Sequence, residues 1–408
     1  MCVAVDGEQH RRSEKATGMM RPLNPVFWDR PKSIFPTMSA LARAHGAINL
    51  GQGFPDEDGP REILHLAADA LLEGPNQYVP VEGVKALRDA VAAANHRFYG
   101  IDVDPDKEVL VVSGATEGLA AAFLGLLSPG DEAVIFAPFY ECYAPQIEAA
   151  GARPRAVNLT PPTFRINRAV LEAAITPATK MIVVNTPHNP LGRVISREEC
   201  ALIAEIAQAR DLIVLCDEVY EHLIFDGLRH EPLMAAPGMF ERTIRIGSAG
   251  KTFSMTGWRI GYATGPERLI TGMMKAHQHL AYTSPGHLQA AVAAGLALGD
   301  AYYRGFVADM QEKRDIFVAA LQRAGFETLP CEGTYFITVD IRSVGRDDDA
   351  AFCREITERA KVAAVPLSAF YLPDADDAPR VFARFCFCKK PSVLEEAASR
   401  LAAYFGSG

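Results

Sequence analysis

Two cations stand in an otherwise uncharged stretch of the chain, SAGKTFSMTGWRIGY at residues 248–262. Lys251 lies among small and hydroxylic residues, and Arg259 follows eight residues later. Ser248 stands at the end of the predicted strand RTIRIG, so its hydroxyl, the start of the next helix and the arginine could together bind one phosphate. A lone arginine is more often solvated or salt-bridged, so both interpretations stay open at this point.

Polar side chains also follow other apolar runs. Asp217 comes after LIVLC, and an ionised carboxylate there needs a partner: a helix cap, an ion pair, or a protonated ring nitrogen. Tyr220 could supply a hydroxyl and Asn189 an amide, although the segment NTPHNPLG also has the composition of a turn. Tyr140 in APFYECY is either a core aromatic or a ring that lies flat on a planar ligand.

A third set of candidates is weaker when each is taken alone. Arg384 lies in the apolar run VFARFCFC, where it either pairs with a buried acid or clamps a carboxylate ligand with two hydrogen bonds. Gly114 in SGATEG permits a tight turn into a helix whose first N–H groups favour an anion. The HQH at residues 277–279 lacks a convincing third ligand, so we interpret it as structural and predict no metal site.

These candidates depend on an alternation of strands and helices. Helices are predicted at SIFPTMSALARAHG, from about Arg61 and from about Gly83, and INLGQGFPDEDGP is predicted as a short strand and a loop. Apolar strands then alternate with helices: EVLVVSG, ATEGLAAAFLGLL, EAVIFA, YECYAPQIEAAG, MIVVN, SREECALIAEIAQAR and LIVLCDEVY. Continuous apolar strands separated by helices predict a parallel sheet covered on both faces, and ligands bind beyond the carboxyl ends of such strands.

The alternation weakens after about residue 295. A long helix, AYYRGFVADMQEKRDIFVAALQRAG, leads into CEGTYFITVDI and VFARFCFC, which is an α+β pattern. We therefore predict an α/β fold: a large domain with a mainly parallel sheet sandwiched by helices, plus a smaller α+β domain. The expected divisions are a disordered leader (1–23), an N-terminal segment packing with the small domain (24–48), the large domain (49–295) and the small domain (296–408).

Composition excludes some classes of protein. The chain has 408 residues and a net charge of −9, which argues against a nucleic-acid binder that uses a basic face. No apolar run is long enough to span a bilayer, and the first residues lack the apolar core of a signal peptide. The eight cysteines include no CxxC pair, and Cys386 and Cys388 alternate on one strand, where they are poorly placed to bridge each other. Reduced thiols in a cytoplasm fit this pattern.

Together the candidates form a phosphate cup, a carboxylate for a ring nitrogen, hydroxyl and amide donors, and a free lysine, which matches pyridoxal phosphate held as a Schiff base. The chain resembles the fold-type-I pyridoxal-phosphate aminotransferases of the aspartate aminotransferase superfamily, in particular the branch of kynurenine/glutamine and bacterial methionine aminotransferases. The matching stretches are INLGQGFPDEDGP, NQYVPVEGVKALR, SGATEG, NTPHNPLG, DEVYEH, SAGKTFSMTGWRIGY, CEGTYF and RFCF. They run in family order over nearly the whole chain.

The resemblance implies roles around the cofactor ring. Lys251 would form the Schiff base and move a proton between the substrate α-carbon and the cofactor. Asp217 would keep the pyridine nitrogen protonated. Tyr220 and Asn189 would contact the phenolic oxygen, and Tyr140 would stack on the ring. Lys251, Asp217 and Tyr220 are thus the implied catalytic residues.

The resemblance also implies how the cofactor phosphate is held. The backbone of Ala115 and Thr116, together with Ser248 and Arg259, would hold it. Tyr78 would reach it from a neighbouring subunit, because sites in this family form at a homodimer interface. The bonds Ala137–Pro138 and Asn189–Pro190 are predicted to be cis, as the family often has them at this face of the sheet.

For the substrate, the resemblance implies that Arg384, Asn189 and the backbone of Gly53 bind the α-carboxylate. Phe35 and Tyr282 would line the side-chain pocket, the latter from the partner subunit. The segment HLAYTSPG around Tyr282 contains no cation that could hold a second carboxylate. Discrimination against dicarboxylic amino acids is therefore expected.

The predicted function is a ping-pong aminotransferase that moves an amino group from a medium or large uncharged L-amino acid (methionine, glutamine, aromatic or kynurenine-like) to a 2-oxo acid. A β-lyase acting on cysteine S-conjugates would use the same motifs and stays an alternative. A non-catalytic regulator is a further alternative, but it would carry a DNA-binding helix-turn-helix module, for which the leader is too short and too polar. The expected partners are amino and 2-oxo acids, without nucleic acid or membrane.

Overall fold

The computed structural model describes residues 21–406. The leader predicted to be disordered therefore lies largely outside the described residues. Residues up to Lys32 belong to one compact unit and residues from Ser33 to another. The described part of the first unit contains one helical turn, α1 (Pro25–Trp28), which begins where the side chain of Asn24 accepts a hydrogen bond from the N–H of Val26.

A seven-stranded sheet forms the centre of the second unit. Its strands are β2 (Val109–Val112), β3 (Glu132–Ala137), β4 (Arg153–Asn158), β5 (Thr179–Asn185), β6 (Ile213–Asp217), β7 (Thr243–Ser248) and β8 (Gly261–Thr264). The strand order is β2-β8-β7-β6-β5-β3-β4, and β8 is antiparallel to both of its neighbours while the other pairs are parallel. Every residue of β2, β3, β6, β7 and β8 is buried, and for β2, β3 and β6 the continuous apolar runs predicted this.

Helices cover this sheet and continue into the C-terminal part of the chain. They are α2 (Ile34–His45), α3 (Arg61–Glu73), α4 (Lys85–Tyr99), α5 (Ala115–Leu126), α6 (Tyr143–Ala149), α7 (Arg168–Ala174), α8 (Arg197–Ala209), α9 (Ala249–Thr252), α10 (Glu267–Leu280), α11 (Gly286–Leu296), α12 (Asp300–Arg323), α13 (Asp349–Glu355) and α14 (Pro391–Phe405). The predicted α/β class with a mainly parallel sheet is confirmed.

Two smaller sheets complete the unit. One is four-stranded and antiparallel, in the order β12 (Val365–Pro366), β13 (Phe382–Cys386), β10 (Phe336–Asp340) and β9 (Glu327–Thr328). The other pairs β1 (Ile48–Asn49) in parallel with β11 (Val362–Ala363). Met38 of α2 packs in the same core as β10 and β13, so the chain from Ser33 joins the C-terminal part. The predicted domain boundaries stay a prediction, because residues from Ser33 onward form one unit.

Some local predictions were incomplete. Strand β4 was missed because RPRAVN lies at the sheet edge, where its polar residues face solvent and interrupt the apolar pattern. Helix α4 begins at Lys85 rather than Gly83, because Gly83 has a φ of +100° that no right-handed helix accepts.

Other backbone features match the predictions more closely. Both predicted cis bonds, Ala137–Pro138 and Asn189–Pro190, are confirmed. Cys386 and Cys388 are free thiols, but their Sγ atoms lie 3.0 Å apart, closer than the alternation on one strand had suggested. Within residues 21–406, no helix has the length and apolar character needed to cross a bilayer.

Candidate active site

A cavity of about 250 Å³ opens at the carboxyl ends of β5, β6 and β7. Each predicted site residue except Tyr78 and Tyr282 lines it: Phe35, Gly53, Ala115, Thr116, Tyr140, Asn189, Asp217, Tyr220, Ser248, Lys251, Arg259 and Arg384. The predicted residues therefore meet where the topology of a parallel sheet places a ligand site.

Lys251 reaches the cavity from the short helix α9, which begins directly after β7 ends at Ser248. Its Nζ donates a hydrogen bond to the hydroxyl oxygen of Tyr335 at 2.8 Å and lies 5.6 Å from the ring centre of Tyr220. Burial lowers the pKa of Lys251 to about 8. The amine is thus more often neutral, and so more often able to accept a proton, than an exposed lysine at the same pH.

Asp217 ends strand β6 and is buried. Its Oδ2 accepts a hydrogen bond from the hydroxyl of Tyr143 at 2.5 Å. Burial raises the pKa of Asp217 to about 6, and the bond from Tyr143 opposes that rise. The paired strand β5 holds the segment in place, since the amide of Asn185 donates to the carbonyl oxygen of Asp217 at 2.8 Å. A cation placed against this carboxylate would stabilise its ionised form.

An anion site is built from the start of α5, Ser248 and Arg259. The first N–H groups of a helix have no acceptor within it, and Ala115 and Thr116, the first residues of α5, line the cavity. Gly114 has a φ of +76°, and a Cβ on it would lie 2.5 Å from Nη2 of Arg259. Only glycine therefore allows the guanidinium to approach this turn. Arg259 itself has a left-handed backbone, with a φ of 54°.

Arg384 reaches the other side of the cavity from strand β13 and is only 1% exposed. Its Nη1 donates to Oδ1 of Asn189 at 2.8 Å, and its Nη2 donates to the carbonyl of Gly51 at 2.7 Å. The guanidinium carbon lies 3.9 Å from the ring centre of Phe336 and 5.2 Å from that of Phe35.

Among the described residues, Arg384 forms no ion pair, and its Nε has no hydrogen-bond partner. Burial lowers its pKa to about 10. The alternative in which Arg384 pairs with a structural acid is thus not what the fold shows. A buried, planar donor without a carboxylate is suited to bind one.

Two aromatic residues frame the space between these groups. Tyr220 is buried, and its ring packs edge-on against that of Tyr335 at a centroid distance of 5.2 Å. Burial raises the pKa of Tyr220, so its hydroxyl remains protonated and able to donate. Tyr140 lines the cavity with its ring edge-on to Tyr143 at 5.9 Å.

Tyr78 and Tyr282 do not line the cavity of this chain. They pack against each other at the surface, with ring centroids 5.4 Å apart, and are 85% and 44% exposed. Both were assigned to a neighbouring subunit's site. That assignment stays a prediction, since a single chain is described.

Sequence analysis missed Tyr143, Asn185 and Tyr335, whose side chains form hydrogen bonds with Asp217 or Lys251. Tyr143, which binds Asp217, follows Tyr140 in APFYECY, and Tyr335 lies in the motif CEGTYF. Asn185 ends an apolar strand in the same way as Asp217, so the rule that found Asp217 could have found it too. The two tyrosines give no such signal, because only the tertiary fold shows which polar groups their hydroxyls meet.

The HQH segment lies on α10 in the described chain. His277 is wholly buried on α10, and its Nδ1 lies 2.9 Å from Oε1 of Glu117 on α5, while His279 is exposed. No group of three or more possible metal ligands is found within residues 21–406.

Comparison with known proteins agrees with this geometry. The family model "Aminotransferase class I and II" matches residues 45–401. A probable N-succinyldiaminopimelate aminotransferase of Mycobacterium tuberculosis is 47% identical, over 90% of this chain and 95% of that protein. The methionine aminotransferase of Escherichia coli is 41% identical over the same shares, and the kynurenine–oxoglutarate transaminase 3 of Mus musculus is 36% identical over 90% and 86%.

Solved structures show the same likeness. The N-succinyldiaminopimelate aminotransferase structure from Mycobacterium tuberculosis superimposes with a TM-score of 0.91, at 46% identity, over 94% of this chain and all of that one. The chain therefore belongs to the class I and II aminotransferases and is an enzyme of that family. The resemblance stated from the motifs is confirmed.

Proposed function

We propose that this aminotransferase uses pyridoxal 5′-phosphate to move the amino group of medium to large uncharged L-amino acids to 2-oxo acids. The observation that carries the proposal is the pairing of a partly buried lysine with a reduced pKa and a buried arginine without a carboxylate, in one cavity. The first can bond to an aldehyde and move a proton, and the second can hold the α-carboxylate.

The residues fit the cofactor. Ser248, Arg259 and the start of α5 would hold its phosphate, and the guanidinium of Arg259 lies where a Cβ on residue 114 would be, so the close approach requires Gly114. Asp217 would pair with the protonated ring nitrogen, which offsets the cost of burying the carboxylate. When bound, the cofactor supplies an electron sink for the pair left at the substrate α-carbon.

The chain's own residues supply the rest of the mechanism. Arg384 and Asn189 bind and orient the α-carboxylate, because the guanidinium is already fixed by Asn189 and Gly51. Lys251, neutral near its lowered pKa, takes the α-proton at Nζ and returns it within the same cavity. The aromatic walls and the buried setting limit water at that atom. A first half-reaction on the amino acid and a second on the 2-oxo acid give ping-pong kinetics.

The donor class follows from the walls near Arg384. Phe35 is apolar, and its ring packs edge-on against Phe370 at 6.0 Å. Glu141, whose Oε1 accepts a hydrogen bond from Ser33 at 2.7 Å, is close enough to Arg384 to raise the pKa of the guanidinium. A negative charge at this place disfavours acidic side chains, whereas aromatic rings favour thioether and aromatic ones.

Steady-state kinetics on a donor panel test this proposal. The panel is methionine, glutamine, phenylalanine, kynurenine, aspartate and N-succinyldiaminopimelate, each with a common 2-oxo acid and the purified, cofactor-loaded enzyme. We expect kcat/KM for the best uncharged donor to exceed that for aspartate by about tenfold or more, since a misplaced methylene-sized group costs ~1–3 kcal/mol and an unpaired charge costs more. Either acidic donor as the best substrate would contradict the donor class. Release of pyruvate and ammonia from a cysteine S-conjugate without an oxo acid would instead show the β-lyase.

We also propose a homodimer with shared sites. Its support is the exposed aromatic pair of Tyr78 and Tyr282, since exposed aromatic residues are common at interfaces. Mixing Tyr78→Ala and Lys251→Ala subunits would reconstitute one intact site per mixed dimer. Restored cofactor binding and activity in the mixture, beyond the sum of the two variants, is the expected result; no gain would contradict sharing.

A further inference from the structure

The hydroxyl of Tyr335 lies between the amine of Lys251 and the backbone of Gly53. Lys251 Nζ is 2.8 Å from it, and the carbonyl oxygen of Gly53 is 3.0 Å away on the other side. Tyr335 is 1% exposed and belongs to CEGTYF, a motif to which the proposed mechanism gives no role. Its contacts therefore call for a separate explanation.

The protons in this chain of contacts can be assigned. A carbonyl oxygen only accepts, so the single hydroxyl proton of Tyr335 is donated to Gly53. The phenol oxygen must then accept from Lys251, whether the amine is charged or neutral. One N–H of Lys251 is thereby directed at Tyr335, and the remaining positions on Nζ, including the lone pair of the neutral amine, are turned away from it.

The hydroxyl can act as a fixed reference point because Tyr335 is held on several sides. Its carbonyl accepts from the N–H of Phe387 at 2.9 Å, and its ring packs edge-on against Tyr220 at 5.2 Å and Phe336 at 4.8 Å. A Cβ on Gly53 would lie 2.8 Å from Cε2 of Tyr335, so the close approach requires glycine. Lys251, on a flexible four-carbon stem, has no comparable restraint of its own.

We propose that Tyr335 is a positioning residue that holds the free Lys251 amine in the orientation required for proton transfer at the substrate α-carbon. The inference rests on the proposed function, because it assigns Lys251 as the base. Tyr335 touches the base rather than the substrate. Fixing one N–H removes most of the rotational freedom of the amine, so that its lone pair faces the cavity whenever a substrate has displaced Lys251 from its covalent bond.

The same contact affects the titration of Lys251. The titratable and charged groups near its amine are the thiols of Cys386 and Cys388, Arg259, Asp217, Tyr220 and the hydroxyl of Tyr335. A hydrogen bond from the ammonium to the phenol oxygen stabilises the charged form, so its removal should lower the pKa of Lys251. This gives a measurement that does not depend on catalysis.

The test uses two changes at one position and a control. Tyr335→Phe removes both hydrogen bonds, whereas 4-aminophenylalanine in place of Tyr335 can still donate to Gly53 but accepts poorly, because its nitrogen lone pair is delocalised into the ring. The control is Tyr303→Phe, which removes another buried hydroxyl, bonded to the carbonyl of Leu296 at 3.2 Å outside the cavity.

Lys251 in the cofactor-free full-length protein is first titrated by competitive amine labelling with peptide mass spectrometry. The loaded enzymes are then assayed with methionine and α-deuterated methionine. For both changes at Tyr335 we expect a lower labelling pKa of Lys251, a fall in kcat of about tenfold to a hundredfold, and a larger deuterium effect, since positioned acid–base groups contribute ~10²–10⁴ in rate. KM for methionine and the absorbance of bound cofactor should change little. Tyr303→Phe should match the wild type.

The outcomes separate positioning from a structural tie. If 4-aminophenylalanine restores kcat and the Lys251 titration, Tyr335 only anchors Gly53 and the proposal is wrong. A wild-type kcat and a wild-type titration of Lys251 in Tyr335→Phe would also overturn the proposal. If that variant does not fold, the 4-aminophenylalanine protein decides alone. A failure of the proposed function would be seen instead as an absence of transamination by the wild type. In that case, the labelling pKa of Lys251 in the wild type and in the Tyr335 variants still shows whether Tyr335 holds the amine.

Discussion

Arg384 offers the sharpest separation between a ligand-binding cation and a structural one. The change we consider is Arg384→Met, in which an unbranched apolar chain fills the space between the rings of Phe35, Phe336 and Phe370. It removes the charge and the planar donor but keeps most of the volume. Arg384→Lys serves as the companion variant, because it keeps a charge and loses the two-pronged geometry.

The expected loss in amino-acid binding is large. Removing one partner of a buried, charge-assisted pair costs ~2–5 kcal/mol, which corresponds to about 30-fold to a few thousand-fold in affinity. The affinity of Arg384→Lys for the amino acid should lie between those of Arg384→Met and the wild type, since one ammonium cannot reproduce two parallel hydrogen bonds. The loss should appear in binding of the amino acid and in kcat/KM, while the absorbance of the bound cofactor stays nearly unchanged.

The expected effect on folding is small. Burial lowers the pKa of Arg384 from its ordinary value to about 10. A lowered pKa on a cation means that the charged form destabilises the fold, here by about 3 kcal/mol at neutral pH. Removing the charge should therefore raise the free energy of unfolding by that amount. It also leaves Asn189 and Gly51 without their donor, at ~1–3 kcal/mol each. The two effects are of similar size, so the Met variant should unfold within a few degrees of the wild type.

Arg314→Met is the matched control. Arg314 on α12 is also buried, but it has a carboxylate partner, with Nη1 2.5 Å and Nη2 2.8 Å from the two oxygens of Asp226. Its replacement should lower the free energy of unfolding and leave methionine binding to the remaining folded enzyme unchanged. The assays are thermal unfolding, spectral titration of the loaded enzyme with methionine, and kcat/KM. An Arg384→Met protein that unfolds like Arg314→Met, or one that binds methionine normally, would refute the reasoning.

Other sites in the cavity give predictions of the same kind. Lys251→Ala should abolish the borohydride-reducible link to the cofactor, and a trapped adduct mapped by mass spectrometry to another lysine would contradict its assignment. Asp217→Asn should stabilise the cofactor-free protein at neutral pH by up to about 3 kcal/mol. The reason is that the pKa of Asp217 is raised to about 6, so the free energy of unfolding of the wild type falls as the pH rises from about 4 to 6. Equal free energies of unfolding for the two proteins from pH 4 to 8 would exclude this. Gly114→Ala should displace the guanidinium of Arg259 and weaken cofactor binding at least tenfold, measured by equilibrium dialysis, with less effect on methionine binding. Unchanged cofactor affinity would show that the phosphate is held elsewhere.

The positions that the sequence could predict share one physical property. Asp217, Asn189 and Ser248 each stand just after an apolar strand, and the carboxyl ends of parallel strands must meet at one edge of the sheet. Their proximity therefore follows from local patterns and topology alone. Lys251 and Arg384 were predicted as site residues because a cation in an apolar or uncharged run is costly to bury unless it has a partner.

The remaining features depend on contacts between segments distant in sequence. Tyr143 meets Asp217 across 74 positions and Tyr335 meets Lys251 across 84, and no local pattern indicates either contact. Tyr78 and Tyr282 require a second chain. The prediction missed strand β4 for a different reason. This strand lies at the edge of the sheet and pairs only with β3, so its exposed polar residues interrupt the apolar pattern that marks the other strands.

The cavity also explains why its groups are held in costly states. Lys251 is less basic, Asp217 less acidic and Arg384 more easily deprotonated than the same groups in water, in each case mainly because of burial. Under the proposed function, each cost would be offset by a different part of one pair of ligands: an aldehyde for the lysine, a protonated ring nitrogen for the aspartate and a carboxylate for the arginine. Ligand binding then returns stability that the fold gives up. Cofactor together with an unreactive amino-acid analogue should therefore raise the unfolding temperature more in the wild type than in Asp217→Asn or Arg384→Met. A ligand present at about a thousand times its Kd adds ~4 kcal/mol to the free energy of unfolding, and the two variants should gain less because they bind the ligands more weakly. Equal stabilisation of all three proteins would show that these charges are not matched to the ligands.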